Sequence, residues 1–353
     1  MSAVTLVIEA IRHGAVRVFL EVRPSNPAAI ALAVAACSSS GTVSDMPDYK
    51  PPQTPTDLTT LRYATTADVV AAVVAAQGTR ALPSTARKQL VALSQVARTD
   101  SSAEQARPEN CLDERQTPFS ADYTILGECA YGDPDGTKLM VVYGDSLAPM
   151  WTTTLERVAA VTGWKVRMFS RGGCPPTDLQ FRNMRTGGPD TRCDDFHATT
   201  LDEINTLRPR LVITVGSADR QLVDGQQPSP DQWREGWMST FRKLARPGTR
   251  VAMLGSLPTW TKNDAQCLAG HLQDVQACSI DSADAVPEYA EAERAAAAAT
   301  GTQYVDPAPW VCARTCQPVI ADTIVFYNPV RLTKEYAAYI SGAVAEALAP
   351  VMR

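Results

Sequence analysis

The sequence predicts a three-layer α/β/α sandwich around a central, parallel, five-stranded sheet, occupying the chain from about residue 138 to the C-terminus. Three observations predict it: short apolar runs that recur at intervals, helical stretches that separate them, and a closing amphipathic helix.

The apolar runs are Leu139–Tyr143, Val166–Phe169, Leu211–Val215, Val251–Leu254 and Tyr304–Val305, each closed by a small or acidic residue. The helical stretches between them are Met150–Val161, Phe196–Leu207, Trp233–Leu244 and Tyr289–Ala299. Strands alternating with helices imply a parallel sheet covered on both faces, and right-handed crossovers place all the strand carboxyl ends along one edge, where ligands bind. Leu332, Tyr336, Tyr339, Ile340 and Val344 form one face of a last helix, with Thr333 as its N-cap. The outline is flavodoxin-like.

Residues 1–37 read as a signal-like or membrane-associated segment. Arg12, Arg17 and Arg23 precede an apolar run from Pro27 to Ala36 that leads into Cys37. That run is too short to span a bilayer, which takes about 20 residues. Val34-Ala35-Ala36-Cys37 fits the small-residue pattern before a lipidated cysteine. Alternatively, Val7-Ile8-Glu9-Ala10-Ile11-Arg12 is similar to a turn that precedes the last transmembrane helix of a longer membrane protein, with one residue fewer and no proline. Both readings carry the rest of the chain outside the cytoplasmic membrane. Residues 38–107 read as a Pro/Ser/Thr linker followed by two short helices, around Asp68–Val74 and Lys88–Val96. Residues 108–353 form the main domain.

At 353 residues, 45% hydrophobic and 20% charged, the chain is long enough to bury a core without staples. A net charge of −5, with no basic and aromatic clustering, argues against nucleic acid as a partner. Apart from Cys37, eight cysteines fall as close neighbours: Cys111/Cys129, Cys174/Cys193, Cys267/Cys278 and Cys312/Cys316. Short local loops of this kind suggest four disulfides and an oxidising compartment. A metal site is the rival reading, but no Cys-x-x-Cys occurs and the only histidines are His13, His197 and His271; no metal or cofactor is expected.

The chemistry centres on Gly144-Asp145-Ser146, at the end of the first buried run and ahead of a helix. A serine at a strand-to-helix turn is held at the ligand edge of the sheet, and its N–H can help to stabilise an oxyanion. Leu139 to Ser146 resembles the first block of the SGNH (GDSL-like) hydrolases, and Ser170-Arg171-Gly172-Gly173-Cys174-Pro175-Pro176 resembles their second. Cys111 to Tyr339 more closely resembles the SGNH domain fused behind acyltransferase-3 membrane proteins, which O-acylate envelope carbohydrates. Gly-Cys-Pro-Pro, Cys193-Asp194, Trp310-Val311-Cys312 with Cys316, and the Tyr327-to-Tyr336 segment carry that match.

The resemblance implies an SGNH hydrolase fold in which Ser146 is the nucleophile, Ser146 and Gly173 donate N–H groups to the oxyanion, and an acyl donor and a carbohydrate or glycolipid acceptor are the partners. It also implies an extracytoplasmic location, with the N-terminal segment at the membrane. Two blocks depart from the pattern. Gly216-Ser217-Ala218-Asp219 lacks the asparagine of the family's third block, an oxyanion donor whose loss typically costs about 10²–10³ in rate. Asn328-Pro329-Val330-Arg331-Leu332 stands where the family has Asp-x-x-His-Leu. Arginine stays protonated and cannot take the serine proton, and asparagine has no charge with which to stabilise an imidazolium. His197, His271 and Asp219 are the substitute bases to consider. The sequence therefore supports two functions: an O-acyltransferase or esterase working through an acyl-Ser146 intermediate, or a base-less pseudoenzyme that binds envelope carbohydrate or serves as a scaffold, with Arg331 holding an anion.

Overall fold

The structure, a computed structural model, describes residues 5–11, 15–21, 64–96, 124–258 and 264–353. The chain divides into two compact units, Met1–Thr56 and Asp57–Arg353. In the first, Thr5–Ile11 pairs antiparallel with Ala15–Glu21, with Ile8 opposite Val18. The apolar run 27–36 and Cys37 lie outside the described residues. Among the described residues, no helix is long and apolar enough to cross a membrane.

The second unit is built on a six-stranded sheet. Its strands are β1 (Thr124–Gly132), β2 (Lys138–Gly144), β3 (Trp164–Arg171), β4 (Leu211–Val215), β5 (Arg250–Leu254) and β6 (Gln303–Val305), in the order β1-β3-β2-β4-β5-β6. The last five are parallel and coincide with the five apolar runs. β1 is an addition that the apolar pattern does not reveal: it pairs antiparallel with β3 at the edge, and its register shifts between Leu126 and Ala130. That irregularity, with Gly127 and Glu128 inside it, breaks the alternation by which a strand is recognised.

Helices α1 (Thr66–Ala76), α2 (Ser84–Val96), α3 (Thr152–Thr162), α4 (Thr191–Leu207), α5 (Pro230–Leu244), α6 (Asp264–Gly270), α7 (Ala290–Thr300), α8 (Lys334–Tyr339) and α9 (Ser341–Met352) surround the sheet. Side chains alternate across the strands and supply two separate cores. Met140 and Val142 pack with Val166, Ile213, Leu254, Trp151 and Tyr336 on one face. Val141 and Tyr143 pack with Phe169, Val212, Met253, Trp233 and Trp237 on the other. This is the expected three-layer sandwich. The anticipated last helix is two helices meeting at Ile340, the first capped by Thr333, whose Oγ1 accepts from the Tyr336 N–H at 3.2 Å.

α1 and α2 belong to this unit. Val69, Val73 and Ala76 of α1 are buried in the first core, and the Thr66 N–H donates to Glu346 of α9 at 2.9 Å. α2 holds the segment that follows the sheet: Gln89 accepts from the Ile324 N–H at 2.7 Å and donates to Glu335 at 3.0 Å. Three of the four expected disulfides are present, Cys174–Cys193, Cys267–Cys278 and Cys312–Cys316. The pair Cys111/Cys129 lies outside the residues whose side chains are described.

Candidate active site

β2 delivers Gly144-Asp145-Ser146 to the carboxyl edge of the sheet, between the ends of β3 and β4. The close passage of β4 requires glycine at 144: a Cβ there would sit 2.6 Å from both the Val215 carbonyl oxygen and the Ala148 Cβ. Asp145 is fully buried and ties the turn together. Its Oδ1 accepts from the Leu147 N–H at 2.8 Å and its Oδ2 from the Ser217 N–H at 2.7 Å. Ser170, at the end of β3, donates its hydroxyl to the Asp145 carbonyl at 2.7 Å. Burial pushes the Asp145 carboxyl up to about 6, against the lowering effect of the two N–H donors and the nearby Arg331.

Ser146 follows, half-buried. Among the described residues, no hydrogen bond occupies its hydroxyl or its N–H. Gly173 stands in the loop after β3 with φ +64°, a left-handed conformation suited to glycine, and a Cβ there would overlap Arg220 Nη1. Arg220 fixes this loop. Its guanidinium donates to the Gly173 carbonyl, to the Arg182 carbonyl at 2.8 Å and to the Asp190 carboxylate at 3.0 Å, and the Arg220 and Asp190 side chains are only 16% and 12% exposed. The disulfide from Cys174 to Cys193 of α4 adds a second anchor one residue on. With its carbonyl and flanks held, the Gly173 N–H also has no partner among the described residues. Arg220 escaped the sequence reading because its partners lie 30 to 47 residues away.

Asn328 and Arg331 face each other in a tight antiparallel turn. Asn328 uses its Oδ1 locally, accepting from the Val330 N–H at 3.1 Å. Arg331 does reach the serine turn, but as a donor to backbone: its Nε gives a hydrogen bond to the Ser146 carbonyl at 3.3 Å. The structure therefore brings Arg331 and Ser146 together, and gives Asn328 a role in its own turn.

The substitute bases sit elsewhere. His197 lies on α4 with its Nε2 3.2 Å from Cys174 Sγ and its ring edge-on to Tyr143. Burial pushes its imidazole down to about 4. His271 follows α6, with Nδ1 2.9 Å from the Cys267 carbonyl beside the second disulfide. Asp219 is exposed, and its N–H donates to Ser217 Oγ at 3.2 Å. The sulfurs that approach the two histidines are committed to disulfides.

The chain is similar to several solved structures, at low identity. The periplasmic domain of a lipopolysaccharide acetyltransferase from Salmonella ser. Paratyphi A is 16% identical, with a TM-score of 0.49, covering 61% of this chain and 85% of that one. A Bacteroides fragilis protein assigned as an acylhydrolase is 15% identical, with a TM-score of 0.40, over 63% of this chain and 91% of the other. TesA is 18% identical, with a TM-score of 0.32, over 61% of this chain and 99% of TesA. No curated protein sequence matches the chain. The family model of the SGNH domain fused to AT3 domains matches residues 110–346, which take in the serine turn, the Gly173 loop and the Asn328–Arg331 turn, and the chain belongs to that family.

Proposed function

We propose that this chain is an envelope-located SGNH domain whose Ser146 site has lost acyl-transfer chemistry and binds an acylated carbohydrate or glycolipid. The observation that carries the reading is the placement of Arg331. Where the family's histidine would accept the Ser146 proton, a permanently charged guanidinium donates to the Ser146 carbonyl instead. Without a base the serine hydroxyl stays a poor nucleophile, while the oxyanion donors and the cleft can still bind. An exported location is supported by the disulfides and by the family's fusion to membrane acyltransferases. An N-terminal membrane tether belongs to the same proposal.

A second reading, an active acyltransferase or esterase working through acyl-Ser146, is favoured by the open N–H groups of Ser146 and Gly173. Hydrolysis of p-nitrophenyl acetate by the full chain separates the two. Ser146→Ala is expected to leave the rate unchanged, and Arg331→His with Asn328→Asp to create a Ser146-dependent rate at least about 10²-fold higher, the lower end of what a general base contributes. A wild-type rate that disappears in Ser146→Ala would establish the active enzyme instead.

A further inference from the structure

The same edge of the sheet carries a second serine with the parts that Ser146 lacks. A cleft of ≈ 930 Å³ opens at the carboxyl ends of β5 and β6, walled by small apolar residues such as Ala285, Ala295, Ala308 and Pro309, with Ser256 in its lining. Behind Ser256 lies Glu293 of α7, completely buried. The Ser256 hydroxyl donates to Glu293 Oε1 at 2.7 Å and the Ser256 N–H to Oε2 at 3.0 Å. Trp233 Nε1 donates to Oε1 at 3.3 Å and sets the carboxylate's orientation from the opposite helix. A serine in reach of a base that a third group orients is the arrangement of an activated nucleophile. Burial raises the Glu293 carboxyl to about 7, against the hydrogen bonds from Ser256 and Trp233, so a useful fraction is ionised near neutrality while its proton affinity stays high.

One more group completes the set. The Tyr304 hydroxyl is buried and has no hydrogen-bond partner among the described residues. It lies against the residue before Ser256, where a Cβ on Gly255 would overlap it. A buried hydroxyl without a partner is costly, and an incoming oxygen would relieve it. At the cleft wall, Arg294 pairs with Asp306 at 2.9 Å and stacks over the Tyr304 ring.

We propose that Ser256, Glu293 and Tyr304 form a second nucleophilic site, one that takes activated esters of small apolar acyl groups. In the step, a bond forms between Ser256 Oγ and the acyl carbonyl carbon. The serine proton passes to Glu293, the carbonyl oxyanion accepts from the Tyr304 hydroxyl, and the ester C–O bond breaks with its electron pair leaving on the alkoxide or phenolate. The alanine and proline walls suit a short acyl group.

The test uses the full chain carrying Ser146→Ala, so that the outcome is independent of the reading of the serine turn. It is treated with p-nitrophenyl acetate at neutral pH, and the acetyl group is located by peptide mass mapping while p-nitrophenolate release is timed. An acetyl group on Ser256 is expected, lost in Ser256→Ala. Its rate of appearance should fall about 10²–10⁴-fold in Glu293→Gln and about 10²–10³-fold in Tyr304→Phe. Near-UV circular dichroism checks that each variant is folded; the glutamine retains an acceptor for Trp233, and Tyr304→Phe removes only an unpartnered hydroxyl. A folded chain with no acetyl on Ser256, acetyl only on lysines, or a Ser256 acylation rate unchanged in both variants overturns the proposal.

Discussion

Asp145, Glu293 and His197 are buried titratable groups, and their shifts act on stability in two directions. Burial holds Asp145 up to about 6 and Glu293 up to about 7. Between its unfolded and folded values, such a group binds more protons folded than unfolded. Its contribution is therefore full below the unfolded carboxyl range near pH 4 and is lost as pH rises through the folded value. His197, pushed down to about 4, acts oppositely: its contribution is full above its ordinary value of 6.5 and is lost as pH falls towards 4. In urea titrations, wild type should therefore lose stability relative to Glu293→Gln as pH goes from 4.5 to 7, by on the order of 3 kcal/mol at about 1.4 kcal/mol per pKa unit. A difference between the two chains that stays flat over this range would show that Glu293 is not held protonated by burial. At this scale Ser146, Gly173, Asn328 and Arg331 were all visible in the sequence, because each occupies a motif position. The contacts of Asp145 with Ser217, and of Arg220 with Gly173, were not, because they join turns from different strands.

Among the elements, the Asn328–Arg331 turn depends on its frame more than on its own residues. Thr333 both caps α8 and donates its hydroxyl to the Ile324 carbonyl at 2.6 Å, and its N–H reaches the Val325 carbonyl at 2.8 Å. Thr333→Ala removes the cap and leaves a buried carbonyl short of a donor, so a loss of about 2 kcal/mol in chemical denaturation is expected. The Cys174–Cys193 bridge closes a separation of 19 residues beside Gly173. Cys174→Ala with Cys193→Ala should cost about 3 kcal/mol, read as a lower Tm, and should raise amide exchange in residues 172–176. Unchanged exchange there would mean that Arg220 alone holds the loop. The parallel strands were legible because residues buried on both faces must be continuously apolar. β1 and the break at Ile340 were not, because one is an irregular edge and the other is decided by packing against α3 and the sheet.

For the molecule as a whole, the unit that folds around the sheet starts at Asp57, and α1 and α2 lie inside it. Val69 and Val73 fill the first core, while Leu82, Ala86 and Leu90 pack with Leu268, Val319 and Ile324 in a third cluster. Each such valine, leucine or isoleucine side chain contributes roughly 1.5–3 kcal/mol on burial. A chain beginning at residue 108 is therefore expected to melt many degrees below one beginning at residue 57, or to remain unfolded; equal Tm values for the two would exclude α1 and α2 from the core. The sequence by itself determined the layered α/β architecture, three short-range cysteine pairs and the serine turn, because apolar periodicity, local spacing and motif order are all properties of neighbouring residues. Only the tertiary structure decided that Arg331 rests on the Ser146 carbonyl, that His197 and His271 lie against disulfides, and that Ser256, in the lining of a cleft, meets the buried Glu293. Those facts arise where strand ends and helices distant in sequence converge on one edge of the sheet, and no local pattern encodes that convergence.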